Sequence, residues 1–285
     1  MLGIIGGSGL TRFDGLGDPS WRRVETPWGD PSGEILVGRI EGAPVAFLPR
    51  HGVGHRIPPT EINYRANIAA LKSIGVTDVI SLSAVGSLRE DLAPGTFVVV
   101  DQFIDRTFAR VKTFFGSGLV GHVSVADPVC RRLGDRIESA GRELGLPIVR
   151  GGTYVVMEGP QFSTRAESAL HRGWGCSVVG MTNMPEAKLA REAELCYATV
   201  AMVTDYDCWH EVHGDVTVDM VVAVLLKNAE LARGLVRAVV PRLLDRPTAC
   251  PAGCDRALDG AIMTAPDARD PAVVARVRAI AARVL

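Results

Sequence analysis

A largely apolar stretch from Leu195 to Thr204 ends directly at two acids, Asp205 and Asp207. A run of this length with almost no polar side chain is typical of a strand that is buried on both faces of a sheet. Open α/β sheets bind their ligands where such strands end, and two acids in that position are costly unless something pairs with them. A nitrogen-rich heterocycle, with a ring nitrogen to protonate and an exocyclic amine to hold, would satisfy both. The plainer interpretation is an acidic turn in which one Asp caps the next helix.

The rest of the chain alternates short apolar runs with helical patterns, which predicts an α/β fold with a central mixed, mostly parallel sheet flanked by helices. Strands are predicted near 2–5, 45–48, 78–82, 96–100, 153–157 and 177–181, and helices over 60–73, 127–144, from 163, 185–194 and 216–244. A long loop is predicted up to about residue 125. We interpret 1–285 as one domain in which 246–285 form a linker and a C-terminal helix that begins at Asp270-Pro271.

Composition excludes several classes of partner. The chain has 285 residues, 47% hydrophobic and 22% charged, with a formal net charge of −1. So balanced a charge gives no general attraction to nucleic acid or to anionic membranes. No apolar run approaches the roughly 20 residues that span a bilayer, and the first residues do not resemble a signal peptide. We therefore expect a cytoplasmic protein that binds any anion through a local site.

The cysteines and histidines do not suggest a metal site. Six cysteines are spread along the chain, unlike a secreted disulfide framework. Cys250 and Cys254 could pair or bind a metal, but no second pair of ligands lies nearby in the sequence, which favours two free thiols. His51 and His55 are separated by glycines and do not form a helical zinc pair. We expect neither a metal nor a cofactor.

Three strand ends offer groups that suit an oxyanion. Ser8 lies in the turn Gly6-Gly7-Ser8-Gly9, Arg50 and His51 follow a second strand, and Ser83 with Ala84 ends a third. Glycine lets the backbone approach an anion, and an arginine fork suits phosphate. Taken singly, each is equally typical of a tight turn or a surface residue. Together they predict one phosphate site.

Three common functional motifs are missing from the sequence. A dinucleotide fingerprint read from Gly7 would place its third glycine where Arg12 stands, which disfavours a NAD-dependent oxidoreductase. The sequence also has no P-loop and no G-x-S-x-G nucleophile elbow.

Seven motifs, in order over residues 3–245, resemble the 5′-methylthioadenosine phosphorylases, a branch of the trimeric purine nucleoside phosphorylase family. They are Gly-Ile-Ile-Gly-Gly-Ser-Gly-Leu (3–10), Arg-His-Gly (50–52), Ser-Ala-Val-Gly-Ser-Leu-Arg-Glu (83–90), Asp-Gln-Phe-Ile-Asp-Arg-Thr (101–107), Glu-Gly-Pro-Gln-Phe-Ser-Thr-Arg-Ala-Glu (158–167), Gly-Met-Thr-Asn-Met-Pro-Glu (180–186) and Thr-Asp-Tyr-Asp-Cys-Trp (204–209). One departure is Gly180, which stands where adenine-specific relatives often carry Asn and oxopurine-processing relatives carry Gly.

The resemblance implies a role for each site residue. Phosphate would be held by Ser8, Arg50, His51, Ser83 and Ala84. The nucleoside would be bound by Phe162 beside the purine, Met181 under the ribose, Thr182, Asp205 at purine N7, Asp207 at the N6 amine, and Val218, Val221 and Val222 around the 5′ substituent. His122 would close that 5′ pocket from a neighbouring subunit. Ordinary core packing is the alternative for Phe162 and Met181. The valines can belong to the helix core and line the pocket at the same time.

The implied reaction is phosphorolysis of 5′-methylthioadenosine, or of a close 5′-deoxy-5′-substituted adenosine, to adenine and a 5-substituted ribose 1-phosphate. Phosphate would be the co-substrate, Asp205 the catalytic acid, and a homotrimer or hexamer would carry sites at its subunit interfaces. Within the class, a methylthioinosine or general purine nucleoside phosphorylase and a 5′-halo-5′-deoxyadenosine phosphorylase stay open. From a different class, a non-catalytic nucleoside-binding protein stays open too.

Overall fold

The computed structural model describes residues 1–7, 15–210 and 218–285, except the side chains of 218–223 and 225. Within these residues one mixed sheet contains eleven strands. The strands are β1 (Leu2–Gly6), β2 (Gly17–Arg22), β3 (Ile35–Ile40), β4 (Ala43–Pro49), β5 (Asp78–Ser87), β6 (Phe97–Val99), β7 (Gln102–Asp105), β8 (Ile148–Arg150), β9 (Thr153–Val156), β10 (Val178–Gly180) and β11 (Cys196–Asp205). The helices are α1 (Tyr64–Ser73), α2 (Arg131–Glu143), α3 (Arg165–Gly173), α4 (Asn183–Glu192), α5 (Val218–Val239) and α6 (Pro271–Ala281).

Parallel pairing dominates the centre of the sheet, which confirms the predicted fold class. The parallel pairs are β1–β4, β1–β5, β5–β11, β6–β8, β7–β9 and β9–β10. The antiparallel pairs are β2–β3, β3–β4, β5–β10 and β6–β11. Helices α1, α4 and α6 pack over one face, and α2 and α5 over the other. This gives the layered arrangement in which each helix buries its apolar stripe against the sheet.

Four strands escaped prediction for local reasons. β2 is exposed along its whole length and contains a proline, which edge strands tolerate. The predicted strands also do not include β3. β7 and β8 have only four and three residues, so neither presents a readable period. β5 extends beyond the predicted end at Leu82, because Ser83 and Ser87 are buried there instead of marking a turn.

The C-terminal segment packs onto its own chain. Leu258 is 1% exposed and its N–H donates to Glu194 Oε1 at 3.0 Å. Asp270 caps α6, which packs against α1. Arg283 then forms an ion pair with Glu194 at 2.5 Å. Residues 246–269 therefore follow the surface of the sheet and helix layers, although they contain only short 3₁₀ turns.

Among the helices that the structure describes, none combines the length and the apolar character needed to cross a bilayer.

Glu192, at the end of α4, carries a buried carboxyl group. It accepts hydrogen bonds from the Phe114 N–H at 2.6 Å and from the Thr113 hydroxyl at 2.7 Å. Burial outweighs these hydrogen bonds and raises the pKa of Glu192 from 4.5 to about 7.

We expect Glu192 to make stability fall as the pH rises. Between its ordinary pKa of 4.5 and about 7, the folded chain keeps a proton that the unfolded chain has released. The free energy of unfolding therefore falls across this window, by at most about 1.4 kcal/mol per pH unit. Urea denaturation across the window should show this slope in the wild type and a shallower one in Glu192→Gln. Glu61→Gln, at an exposed position, is the matched control, and an unchanged slope in Glu192→Gln would contradict the assignment.

Candidate active site

The parallel strands β4, β1, β5 and β11 lie side by side, so their carboxyl ends open at one edge of the sheet. Gly6 pairs with Pro49, and the Arg50 N–H donates to the Gly6 carbonyl at 2.9 Å. Ser8 follows two residues after Gly6 and lies outside the described residues. The same edge carries Arg50 and Asp205, and Ser83 lies on the adjoining stretch of β5, opposite Ala201 of β11.

Arg50 is buried in an ion pair with Glu186 of α4. Its Nε lies 2.9 Å from Glu186 Oε2, and its Nη2 lies 3.2 Å from Oε1. Nη1 donates to the Leu82 carbonyl at 3.0 Å, and Nη2 also reaches the Ser81 hydroxyl at 2.6 Å. Burial alone would lower the pKa of Arg50, but the Glu186 carboxylate raises it above its ordinary value. The guanidinium therefore stays charged.

This ion pair leaves Arg50 little free capacity for phosphate. Nη1 has two hydrogens and makes one hydrogen bond to the described residues, so one N–H can point to an anion. Glu186 neutralises most of the positive charge that Arg50 would otherwise bring to the predicted phosphate site. Glu186 lies in the motif 180–186, yet no local signal distinguishes it from a solvated helical acid. Only the buried guanidinium reveals its role.

His51 supplies a hydrogen-bond acceptor instead of the second donor suggested by its sequence position. Its Nδ1 lies 2.9 Å from the Ile57 carbonyl, which can only accept, so Nδ1 carries the hydrogen. Burial and then the Arg50 charge lower the pKa of His51 from 6.5 to about 4. The neutral ring, stacked on His55 with centroids 4.1 Å apart, consequently has an unprotonated Nε2.

Three hydroxyl groups meet beside Ala84. Ser83 Oγ lies 3.0 Å from Thr182 Oγ1 and 3.1 Å from the Tyr154 hydroxyl. All three side chains are buried. Thr182 therefore lies with Ser83, which was predicted to hold phosphate, and Tyr154 is a neighbour that the sequence did not predict.

Tyr154 also explains Gly180. A Cβ built on Gly180 would lie 2.1 Å from the Tyr154 hydroxyl oxygen, well inside van der Waals contact. The absence of a side chain at Gly180 is thus a packing requirement of the buried tyrosine. Packing against Tyr154 therefore accounts for Gly180 without reference to the base.

A break in strand register sets the direction of Asp205. Val203 pairs with Val85, but Asp205 already pairs with Gly86, so the chain bulges at Thr204. Bulges of this kind re-aim side chains next to active sites. Asp205 Oδ2 accepts from the Thr204 hydroxyl at 2.7 Å, and Oδ1 accepts from the Asp207 N–H at 2.8 Å. Burial nevertheless raises the pKa of Asp205, and the Asp207 carboxylate adds to that effect.

Asp207 has a buried oxygen that lacks a partner. Its Oδ2 makes no hydrogen bond to any described residue, although the side chain is 5% exposed. An unsatisfied buried acceptor costs about 1–3 kcal/mol, and more when charged. Gly86 makes room for both acids, because a Cβ there would lie 2.9 Å from Asp205 Oδ1 and 3.2 Å from Asp207 Cβ. The pair of acids is thus built to receive a donor from outside.

The turn that carries Asp207 is held from several sides. Trp209 Nε1 donates to the Ser87 carbonyl at 2.7 Å, and the Arg172 guanidinium lies 3.5 Å from the Trp209 ring centroid. Arg165 donates to the Cys208 carbonyl at 2.8 Å. Asp207 itself has a left-handed φ of +51°, a conformation that Asp tolerates better than most residues.

Phe162 and Met181 lie on neighbouring loops. Phe162 is 46% exposed, which is unusual for an aromatic ring that only fills a core. Met181 packs on Gly159, where a Cβ would lie 2.5 Å from its sulfur. Arg110, also missed from the sequence, joins these loops by donating to the Met181 carbonyl at 2.6 Å and to the Glu158 carboxylate at 2.9 Å.

The remaining predicted residues are not joined to this cluster by any contact in the described part of the chain. The side chains of Val218, Val221 and Val222 lie outside the described residues, although α5 begins at Val218 and packs on β11. His122 is exposed, and its backbone N–H donates to the Ala261 carbonyl at 2.9 Å.

Comparisons with known proteins identify the family of this chain. The sequence profile of the Phosphorylase superfamily matches residues 1–241. S-methyl-5′-thioadenosine phosphorylase of Cereibacter sphaeroides is 62% identical over 285 residues, covering 100% of this chain and 98% of the relative. The Rhodospirillum rubrum protein of the same name is 61% identical, covering 100% and 97%.

Solved structures agree as well. A methylthioadenosine phosphorylase from an Antarctic soil metagenomic library superposes with a TM-score of 0.92 at 45% identity, covering 98% of each chain. Methylthioadenosine phosphorylase from Schistosoma mansoni in complex with adenine has a TM-score of 0.87 at 38% identity, covering 92% of this chain and 98% of that one. This chain therefore belongs to the phosphorylase superfamily, among the purine nucleoside phosphorylases of the S-methyl-5′-thioadenosine phosphorylase type.

Proposed function

We propose that the chain catalyses the phosphorolysis of 5′-methylthioadenosine to adenine and 5-methylthioribose 1-phosphate. The observation that carries this proposal is the pair of acids at the end of β11. Asp205 has a raised pKa, which suits an acid at purine N7. Asp207 keeps a buried acceptor that no described residue satisfies, which suits an exocyclic amine. The names of the most similar relatives support the same reaction.

In this mechanism a phosphate oxygen forms a bond to C1′ of the ribose while the C1′–N9 bond breaks. The bonding electrons stay on the purine, and N7 takes the proton of Asp205. The resulting Asp205 carboxylate recovers a proton released from the phosphate group. General acid assistance of this kind contributes about 10²–10⁴ in rate, and positioned phosphate both attacks and balances the positive charge that develops on the ribose.

Phosphate in this proposal is held mainly by neutral donors. Because Glu186 neutralises Arg50, the anion depends on the hydroxyls of Ser83 and Thr182, on Ser8 and the Ala84 backbone, and on one Arg50 N–H. His51 Nε2 accepts a hydrogen from hydrogen phosphate. Preorganised neutral donors stabilise an anion in a water-poor site without a large desolvation cost.

Asp207 determines the base in this proposal. A carboxylate accepts a hydrogen bond from an N6 amine but meets the O6 of an oxopurine acceptor to acceptor. Gly180, the one residue that favoured an oxopurine, is accounted for by Tyr154. The 5′ pocket assigned to Val218, Val221 and Val222 would prefer an apolar group. It would separate methylthio from halogen substituents only weakly, since a methylene-sized difference contributes about 1–3 kcal/mol.

The assembly and cellular setting are also proposals. Four large apolar side chains between residues 108 and 125 are exposed, namely Phe108, Val111, Val120 and Val125. We assign this segment to a contact with a neighbouring subunit, through which His122 reaches the partner's 5′ pocket in a homotrimer. The enzyme acts in the cytoplasm and needs only phosphate as co-substrate for its chemistry.

The reaction is tested by incubating the purified protein with 5′-methylthioadenosine and following adenine release. We expect adenine only when phosphate is present, and little hypoxanthine from 5′-methylthioinosine in a parallel incubation. A 5′-chloro-5′-deoxyadenosine incubation reports the tolerance of the 5′ pocket. Faster turnover of the inosine analogue would contradict the role of Asp207, and binding of nucleoside without any turnover would indicate a non-catalytic binding protein.

Asp205→Asn should lower kcat by about 10²–10⁴, because the amide can donate a hydrogen bond to N7 but cannot transfer a proton. In the wild type, the protonated acid is the active form, so kcat/KM should fall as pH rises through the raised pKa of Asp205. The variant should lose this dependence. The exposed Asp245→Asn is the matched control, and a variant that keeps the wild-type pH profile would exclude Asp205 as the acid.

Asp207→Asn should lower kcat/KM for 5′-methylthioadenosine and raise it for 5′-methylthioinosine, because an amide N–H can donate to O6. Replacing an unsatisfied acceptor by a hydrogen-bonded group is worth about 1–3 kcal/mol. This corresponds to a change of roughly 5- to 150-fold in the ratio of kcat/KM for the two nucleosides. Steady-state kinetics on both nucleosides measure this ratio. An unchanged ratio would show that another residue reads the base.

A further inference from the structure

Four cysteines from three separate parts of the chain meet in one cluster. Cys130 directly precedes α2, Cys196 begins β11, and Cys250 and Cys254 flank a turn in the C-terminal segment. All four are at most 6% exposed, and their sulfur atoms all lie within 4.8 Å of one another. The expectation that no second pair of ligands lies near Cys250 and Cys254 is therefore wrong in the folded chain.

The spacing of the sulfur atoms suits a shared ion. Cys130 Sγ and Cys250 Sγ are 3.7 Å apart. A disulfide would bring two sulfurs to about 2.05 Å, and all four residues are free thiols. Tetrahedral zinc with Zn–S bonds of about 2.3 Å separates its sulfur ligands by about 3.8 Å. The observed distance matches this tetrahedral edge.

The local chain at Cys250 and Cys254 has the form of a metal-binding turn. Three residues separate the two cysteines, within the spacing of two to four that paired zinc ligands use. Gly253 has a left-handed φ of +67°, and its N–H donates to the Cys250 carbonyl at 2.8 Å. The Cys250 N–H in turn donates to the Asp255 carboxylate at 3.1 Å. These contacts direct both thiols to the same side.

Positive charge surrounds the thiols. Arg191 Nη1 lies 3.4 Å from Cys254 Sγ, and Arg246 Nη2 lies 3.8 Å from Cys196 Sγ. Arg132 also donates to Cys196, and Asp78 holds Arg132 and Arg246 in place through ion pairs. These guanidinium groups can offset the negative charge that thiolate ligands would bring to the cluster.

We propose that Cys130, Cys196, Cys250 and Cys254 bind one zinc ion as a closed, four-coordinate structural site. Binding breaks four S–H bonds, releases the protons to solvent and forms four Zn–S bonds without any change of oxidation state. The filled site would carry a net charge of −2. The three arginines compensate part of the negative charge of this site and of the nearby carboxylates of Asp78 and Asp255. An open cleft lined by Val129, Arg132, Pro251 and Ala252 adjoins the turn and gives the ion access.

The site is structural because it lies far from the proposed chemistry. Cys196 begins β11 and Asp205 ends it, and nine steps of about 3.3 Å separate the two ends by roughly 30 Å. Residues 246–256 contain no regular α-helix or strand. A bound zinc ion would attach this segment to the start of α2 and the start of β11. Closed Cys₄ sites contribute directly to folding energy in this way.

The direct test is the metal content of the whole protein, purified under reducing conditions without added metal. Elemental analysis should find one zinc per chain that survives dialysis against a chelator. X-ray absorption at the zinc edge should show four sulfur neighbours at about 2.3 Å. Replacement by Co²⁺ should produce intense thiolate-to-metal charge-transfer bands. These measurements need no variant and are independent of catalytic activity.

Variants assign the ligands. Cys250→Ser with Cys254→Ser should reduce zinc to near zero and lower the Tm, whereas Cys176→Ser, which removes a buried thiol elsewhere, should keep full zinc content. Three results would overturn the proposal. They are no zinc even after anaerobic incubation with Zn²⁺, nitrogen or oxygen neighbours in place of sulfur, and disulfides among the four cysteines in protein handled under argon.

Discussion

The buried ion pair between Arg50 and Glu186 holds the ligand-binding edge of this sheet together. Its hydrogen bonds join the end of β4 to α4, and the Ser81 and Leu82 contacts add β5. Tyr197 brings in β11 by donating to Glu186 Oε1 at 2.8 Å. Removing one partner of such a pair leaves an uncompensated buried charge, at a cost of about 3–5 kcal/mol. The strand ends that form the candidate site are positioned by this network.

The ion pair also determines the character of the proposed phosphate site. An arginine that already satisfies a carboxylate adds little net positive charge, so recognition of an anion depends on hydroxyls and backbone groups. The neutral His51 ring is consistent with this arrangement, because its lowered pKa follows from burial next to the Arg50 charge. At the neighbouring strand end the pKa shift has the opposite direction, because burial and the Asp207 carboxylate raise the pKa of Asp205. One sheet edge thus presents near-neutral donors beside a carboxyl group whose pKa is raised.

β11 connects the two polar centres of the molecule. Its carboxyl end bulges at Thr204 and directs Asp205, while its first residue belongs to the cysteine cluster. Between these ends the strand is buried and pairs with both β5 and β6. A rigid central strand of this kind lets a loop-rich C-terminal segment be anchored at one end without disturbing the chemistry proposed at the other.

The amino-acid sequence is enough to predict the α/β class, the central buried strands, the two acids after β11 and the motifs that mark the family. All of these are local, because a buried strand or a helix shows its period within about ten residues. Three features become visible only in the folded chain. Glu186 neutralises Arg50, 136 residues away, Tyr154 excludes a side chain at Gly180, and Cys130 and Cys196 complete a cluster with the C-terminal pair. These contacts depend on how strands are ordered and how helices pack across them, and residues so far apart in the chain leave no pattern that a single sequence reveals.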